Sequence, residues 1–213
     1  MIPWQFITFL GDSIVTMPAA AAVTVWLVSA GAWRSAISWS LWFGFGLALV
    51  LATKIAFIGW GFALAGLDFT GISGHAMRAA AVMPVVAYLL LQRRDRRLCV
   101  CGVLVGVAAA GMVGLSRVVL HYHSPSEVIA GIALGTLVAM AFIWRSEGQP
   151  GLHLRRWVVG LTLLGLVPSA YAEPAPTKQW VTTLALYLSG NDRPYIRTPD
   201  GKLARAPAPR RDQ

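Results

Sequence analysis

Charge is scarce in this 213-residue chain: Asp, Glu, Lys and Arg make up 13% of it, about half of what a soluble domain carries. Hydrophobic residues make up 56%, and the two figures together exclude an ordinary soluble globule. Acidic residues are the rarer sign, nine against 18 Lys and Arg, leaving a net charge of +9. Such a surplus points either to nucleic acid or to an anionic membrane surface. Here the basic residues flank long apolar runs, which decides for the bilayer and against nucleic acid as partner. Cysteine is almost absent. Cys99 and Cys101 sit one residue apart and cannot point along one helix face, and their number excludes a disulfide framework and a cysteine-built zinc site. No internal repeat is present.

A hydrocarbon core about 30 Å thick asks for about 20 mostly apolar residues per spanning helix. Six candidate runs predict an all-α, polytopic membrane bundle, with spans at about 14–33, 38–58, 75–91, 98–120, 125–144 and 157–172, the last of them short. Ile2 to Leu10 is too short to span and is expected at the interface. The second span is expected to end near Ile58, where Gly59 and Gly61 loosen the backbone. Residues 1–172 would form the membrane domain, and 173–213 a polar, Pro-rich tail with a short surface helix over 180–188. Arg34, the run Arg93-Arg94-Asp95-Arg96-Arg97, Arg145, Arg155 and Arg156 all fall on one side if six helices alternate. That side is expected to be cytoplasmic, in a bacterial-type inner membrane, with both chain ends outside. Trp33, Trp39, Trp144 and Trp157 would mark the same interface as an aromatic belt. Gly131 and Gly135, like Gly102 and Gly106, permit close helix approach within one chain or between two, so oligomeric state is open. Arg155-Arg156 followed by Trp157 to Val167 and Pro168-Ser169-Ala170-Tyr171-Ala172 has the form of an internal signal peptide. An ordinary short helix explains the same letters and is preferred.

With the spans placed, the polar residues collect at the outer ends: Lys54, Asp68, Ser73, His75, Arg78, Ser116, Arg117, His121, His123 and Glu127. A charge within a membrane segment costs a few kcal/mol, so Lys54 and Arg117 are predicted to face a shared polar pocket. Gly71-Ile72-Ser73-Gly74-His75 immediately precedes an apolar run, setting the free N–H groups of a helix start beside a histidine; such a start favours anions. Ser116-Arg117 ends one helix, and His123-Ser124-Pro125-Ser126-Glu127 opens the next. Cations, N–H donors and two imidazoles suit phosphate ester chemistry: one ring attacks phosphorus and the other protonates the leaving oxygen.

These residues resemble the type 2 phosphatidic acid phosphatase family, whose motifs read Lys-x6-Arg-Pro, Pro-Ser-Gly-His and Ser-Arg-x5-His-x3-Asp. The third is kept in Ser116, Arg117 and His123, with Glu127 in place of the final Asp. The second keeps Ser73, Gly74 and His75, with Ile72 in place of Pro. The first keeps Lys54, but Gly61 and Phe62 stand where Arg and Pro would be. The resemblance implies a lipid phosphate phosphatase with an extracytoplasmic site. His123 would be the nucleophile, Glu127 its orienting carboxylate and His75 the general acid, with Lys54, Arg117, Ser73 and Gly74 holding the phosphoryl oxygens. It implies no metal and no cofactor. Arg78, one turn after His75 on the same helix face, is expected to stand in for the missing cation.

Each residue also has a plainer reading. Ser124-Pro125-Ser126-Glu127 spells a capping box, Ser73 is suited to cap the third span, and Lys54 could snorkel to water. His121 forms a His-x-His pair with His123 but lacks two further ligands, and His153 is expected as a solvated loop residue. Asp68-Phe69 is assigned no chemistry. The head group is open among phosphatidic acid, phosphatidylglycerol phosphate, a polyprenyl pyrophosphate and a phosphorylated glycolipid. A phosphotransferase using the same histidine, and a non-catalytic protein that binds or transports an anionic lipid, are the competing functions.

Overall fold

A computed structural model describes residues 3–146, 152–165, 177–198 and 203–207. The chain forms α1 (Trp4–Phe9), α2 (Ser13–Ser29), α3 (Trp33–Trp60), α4 (Gly74–Leu91), α5 (Arg96–Val119), α6 (Pro125–Ser146), α7 (Arg156–Gly165) and α8 (Thr177–Ser189), then strands β1 (Tyr195–Arg197) and β2 (Leu203–Arg205). Helices α3 to α6 are long and apolar enough to cross a membrane. Helix α2, with 17 residues, and α7, with ten, are shorter apolar helices. The fold is therefore a helical membrane bundle in which, among the described residues, four helices are long and apolar enough to cross. The expected sixth span is described only to Gly165, and its remainder, including the signal-peptide-like Pro168 to Ala172, lies outside the described residues.

Several expected boundaries move for identifiable reasons. Helix α3 covers 28 residues, about 42 Å of axis at 1.5 Å per residue. It starts at Trp33 rather than Ser38, because Gly31 (φ +75°) completes the turn out of α2. It also runs through Gly59. A Cβ there would lie 3.1 Å from Ala185 O and Ser189 Cβ, so this glycine serves the close approach of α8 rather than a break. The helix stops at Gly61, whose φ of +75° is the left-handed conformation that ends helices. Trp39 does not belong to an aromatic belt. It is 1% exposed, donates Nε1–H to Ala20 O at 3.0 Å and stacks on Phe43, whereas Trp33, Trp144 and Trp157 are exposed.

Helix α4 is the centre of the bundle, its alanine-rich faces buried against α5 and α6. A Cβ on Gly131 of α6 would meet Ser73 O at 2.6 Å, one on Gly135 would run into Met77 O, and one on Gly106 of α5 would meet Pro84 backbone at 2.8 Å. The small-residue spacings thus serve packing inside one chain. At the other end of the bundle, α7 lies against α2, where Trp26 Nε1 donates to Thr162 Oγ1 at 2.6 Å.

Helix α8, longer than the expected 180–188, covers the end of α3. The strands pair antiparallel, Ile196 opposite Ala204, in a hairpin that the tail's composition does not suggest. Asn191 Nδ2 donates to Gly59 O at 2.6 Å, and Tyr195 packs on Gly61. The tail is thereby folded back onto the end of the bundle where α4 and α6 begin.

Candidate active site

The turn from α5 to α6 sets the central imidazole. His121 adopts φ +57° and is exposed, and the Tyr122 and His123 amides both donate to Arg117 O, at 3.0 and 3.2 Å. The chain therefore doubles back over Arg117, whose guanidinium carbon lies 4.2 Å from the centroid of the Tyr122 ring. Beyond His123, Ser124 and Glu127 form a reciprocal cap: Glu127 N donates to Ser124 Oγ at 3.4 Å, and Ser124 N to Glu127 Oε2 at 3.3 Å. That same Oε2 lies 2.6 Å from His123 Nδ1. One carboxylate oxygen thus meets both the Ser124 amide of the cap and the imidazole. With Nδ1 so engaged, Nε2 is the ring nitrogen left for chemistry.

Glu127 is 1% exposed, and its second oxygen is equally occupied. Oε1 accepts from Thr70 N at 2.8 Å, Thr70 Oγ1 at 2.6 Å and Arg197 Nη2 at 2.9 Å. The loop carrying Thr70 is pinned at two further points, Ser73 N to Glu127 O at 3.1 Å and Ile72 N to Thr53 Oγ1 at 3.1 Å. The second bond explains the departure from proline at Ile72. A proline has no N–H to give Thr53, and here a hydrogen bond holds the loop where a ring would otherwise stiffen it.

His75 opens α4, and its Nε2 lies 3.3 Å from Asp12 Oδ2. Asp12 caps α2, accepting from Ile14 N at 3.0 Å. The bond with His75, together with the Ile14 amide and the nearby imidazole charge, holds the Asp12 carboxyl well below the usual carboxylate range despite partial burial. Arg78 donates from Nε to Thr16 Oγ1 at 2.9 Å and from Nη2 to Gly11 O at 3.2 Å. Its Nη1 crosses the helix start where a Cβ on Gly74 would lie 3.0 Å away, so the glycine leaves room for the guanidinium. Arg117 Nη1 donates to Thr8 Oγ1 of α1 at 3.0 Å, and its buried Nε has no hydrogen-bond partner among the described residues.

A cavity of about 1000 Å³ joins these groups, lined by Lys54, Gly74, His75, Arg78, Arg117 and His123 together with Asp12, Thr70, Lys178 and Arg197. Val50, Leu51, Phe57 and Ile58 of α3 and Val181 of α8 supply an apolar wall. Of the residues expected to hold phosphate, Lys54, Arg78, Arg117 and Gly74 line the cavity. Ser73 does not. It is 0% exposed, makes no side-chain cap, and its hydroxyl is buried with no hydrogen-bond partner among the described residues, while Gly131 packs against its carbonyl oxygen. Glu127 likewise does not line the cavity. His153 is exposed at the opposite end. Among the described residues no group of His, Cys, Asp and Glu is arranged to hold a metal ion.

The contributions of Asp12, Thr70, Thr8 and Arg197 were not visible in the sequence. Asp12 and Thr8 come from the first turns of the chain and Arg197 from the tail, and a lone residue remote from the motifs carries no spacing signal. Asp68, assigned no chemistry, lies 3.1 Å from Arg197 Nη2 through Oδ1, and its carbonyl accepts from the same nitrogen at 2.9 Å.

The site is thus a buried imidazole–carboxylate pair beside a cation-lined cavity in a helical membrane bundle. The PAP2 superfamily pattern matches residues 56–149, a stretch that contains His75, Arg117, His123 and Glu127. An uncharacterised 22.5 kDa protein in the cps region of Klebsiella pneumoniae is 38% identical over 201 residues, covering 92% of this chain and 96% of that one. Phosphatidylglycerophosphatase B of Bacillus subtilis (strain 168) is 38% identical over 74 residues, 33% of this chain and 36% of its own length. No solved structure matches. The chain belongs to the PAP2 superfamily, and family and fold together make it a membrane-embedded phosphatase.

Proposed function

We propose that this protein hydrolyses a lipid phosphate or lipid pyrophosphate through a phosphohistidine on His123, at the extracytoplasmic face of a bacterial inner membrane. The observation that carries the reading is the 2.6 Å contact of His123 Nδ1 with the buried Glu127 carboxylate, at the edge of a cavity lined by Lys54, Arg78 and Arg117. Glu127 fixes the tautomer with hydrogen on Nδ1 and stabilises the positive charge that the ring gains when Nε2 reacts.

In the first step Nε2 attacks phosphorus. A P–N bond forms as the P–O bond to the lipid breaks, and the departing oxygen takes a proton from His75. The ionised Asp12 at 3.3 Å holds that imidazole in place. In the second step His75 receives a proton from water, the water oxygen bonds to phosphorus, and the P–N bond breaks. Inorganic phosphate leaves and His123 is restored. Lys54, Arg78, Arg117 and the amides at the start of α4 carry the charge on the phosphoryl oxygens, the largest contribution in this chemistry. The apolar wall from α3 and α8 suits the first segments of a lipid chain.

Phosphate release from phosphatidic acid, phosphatidylglycerol phosphate and polyprenyl pyrophosphate in detergent tests the reading. Wild type should release phosphate from at least one of them, His123→Ala from none, and vanadate should inhibit. An intact wild type that binds these lipids but releases no phosphate from any would leave the non-catalytic lipid-binding reading in its place. Release that requires an added lipid acceptor would make it a phosphotransferase.

A further inference from the structure

The first family motif lacks its arginine: Gly61 stands in that place at φ +75° with the Tyr195 ring against it, so position 61 supplies no cation to the cavity. The residue packed there belongs to the tail hairpin, and two positions along the same strand is Arg197. Its Nη2 touches Glu127 Oε1 at 2.9 Å, Asp68 Oδ1 at 3.1 Å and Asp68 O at 2.9 Å. Arg197 lines the cavity, and its buried Nε has no hydrogen-bond partner among the described residues.

A carboxylate as buried as Glu127 needs a compensating charge. Besides His123, Arg197 is the cationic side chain that touches it among the described residues. In the resting enzyme His123 must be neutral to act as a nucleophile, so the imidazole cannot supply that charge. We propose that Arg197 is a positioning residue that neutralises and anchors Glu127, and through it holds His123, making the C-terminal hairpin a working part of the active site. The inference rests on His123 being the nucleophile. Thr70 and Arg197 together fix Oε1, which leaves Oε2 aimed at Nδ1. Without Arg197 the carboxylate keeps only neutral donors on that side. The hairpin itself is held against the bundle and braced from within: Asn191 binds Gly59 O, Arg205 Nη2 binds Asn191 Oδ1 at 3.3 Å, and the Arg205 guanidinium lies 5.2 Å from the Tyr195 ring centroid.

The test combines kinetics with a spectroscopic reading that needs no substrate. In Arg197→Gln, kcat on the best lipid phosphate should fall by about tenfold or more with KM nearly unchanged, and Arg197→Lys should recover part of it. Glu127→Gln and the double variant with Arg197→Gln should agree to about twofold, because the arginine acts through the glutamate. Arg193→Gln serves as the tail control. Additive losses, or a rise in KM alone, would overturn the positioning role. In the full-length protein in detergent, the downfield proton signal of His123 Nδ1–H, identified by its loss in His123→Gln, should move in Arg197→Gln and stay in Arg193→Gln. An unmoved signal would overturn the proposal even if the protein released no phosphate from any lipid, a result that would count separately against the enzymatic reading.

Discussion

Replacing Glu127 by Gln removes one charge and almost no volume, and the surrounding donors determine the consequence. Five of them converge on its two oxygens: Thr70 N, Thr70 Oγ1 and Arg197 Nη2 on Oε1, and His123 Nδ1 and Ser124 N on Oε2. An amide offers one oxygen and one NH2, so either His123 or the Thr70–Arg197 side must face hydrogens that cannot accept. Losing a charge-assisted bond to His123 costs about 1.5–3 kcal/mol. A donor-against-donor contact adds to that loss, giving about 3 kcal/mol in the transition state, or a fall in kcat of about 100-fold or more. KM should hardly change, since Glu127 does not line the cavity. The assay is steady-state phosphate release in detergent alongside thermal unfolding. Ser124→Ala supplies the contrast: it weakens the cap by about 1 kcal/mol and should leave turnover intact. A Glu127→Gln enzyme within about threefold of wild-type kcat would refute the orienting role and leave Glu127 as a capping residue alone.

Arg78→Ala should raise KM and lower kcat/KM by about tenfold or more, as loss of a cation on the phosphoryl group requires; unchanged turnover would end the idea that Arg78 replaces the motif arginine. Gly61→Arg, which restores the family's letter, should lower stability by about 1–3 kcal/mol and not raise activity, because the left-handed φ and the Tyr195 ring exclude a side chain there; a more active variant would contradict this. Asp12→Asn tests the depressed carboxyl. Since its folded value lies below the ordinary 3.8, the stabilisation is complete above about pH 5 and fades as acid protonates the group. The melting difference between variant and wild type should therefore be present at pH 7 and shrink below about pH 4, and a difference independent of pH would show that the Asp12–His75 pair contributes nothing.

Much of the bundle is legible in the sequence because the bilayer imposes a length rule, and α4, α5 and α6 begin and end within a few residues of their expected bounds. Glycines are ambiguous in sequence. Gly59 reads as a break by conformational freedom but serves α8 by its missing side chain, and only the partner helix distinguishes the two. The candidate cluster is legible where its members share a motif, as in Arg117, His123 and Glu127. It is illegible where a single residue arrives from a distant segment: Arg197 is one of many tail arginines, and nothing local separates the one that meets Glu127. Ser73 shows the opposite case, a motif letter whose side chain is buried and does not line the cavity. Trp39 shows the same ambiguity, since an aromatic near a charged loop can anchor at an interface or, as here, fill the core and find a carbonyl for its N–H.

The most direct measurement is chemical trapping of the intermediate. Protein mixed with a lipid phosphate carrying labelled phosphorus, quenched within the first turnovers and digested under alkaline conditions, should yield label on the peptide containing His123. The label should be absent in His123→Gln and reduced in Glu127→Gln. Phosphate release by the wild type with no label at His123, or with label on any other residue, would contradict the mechanism.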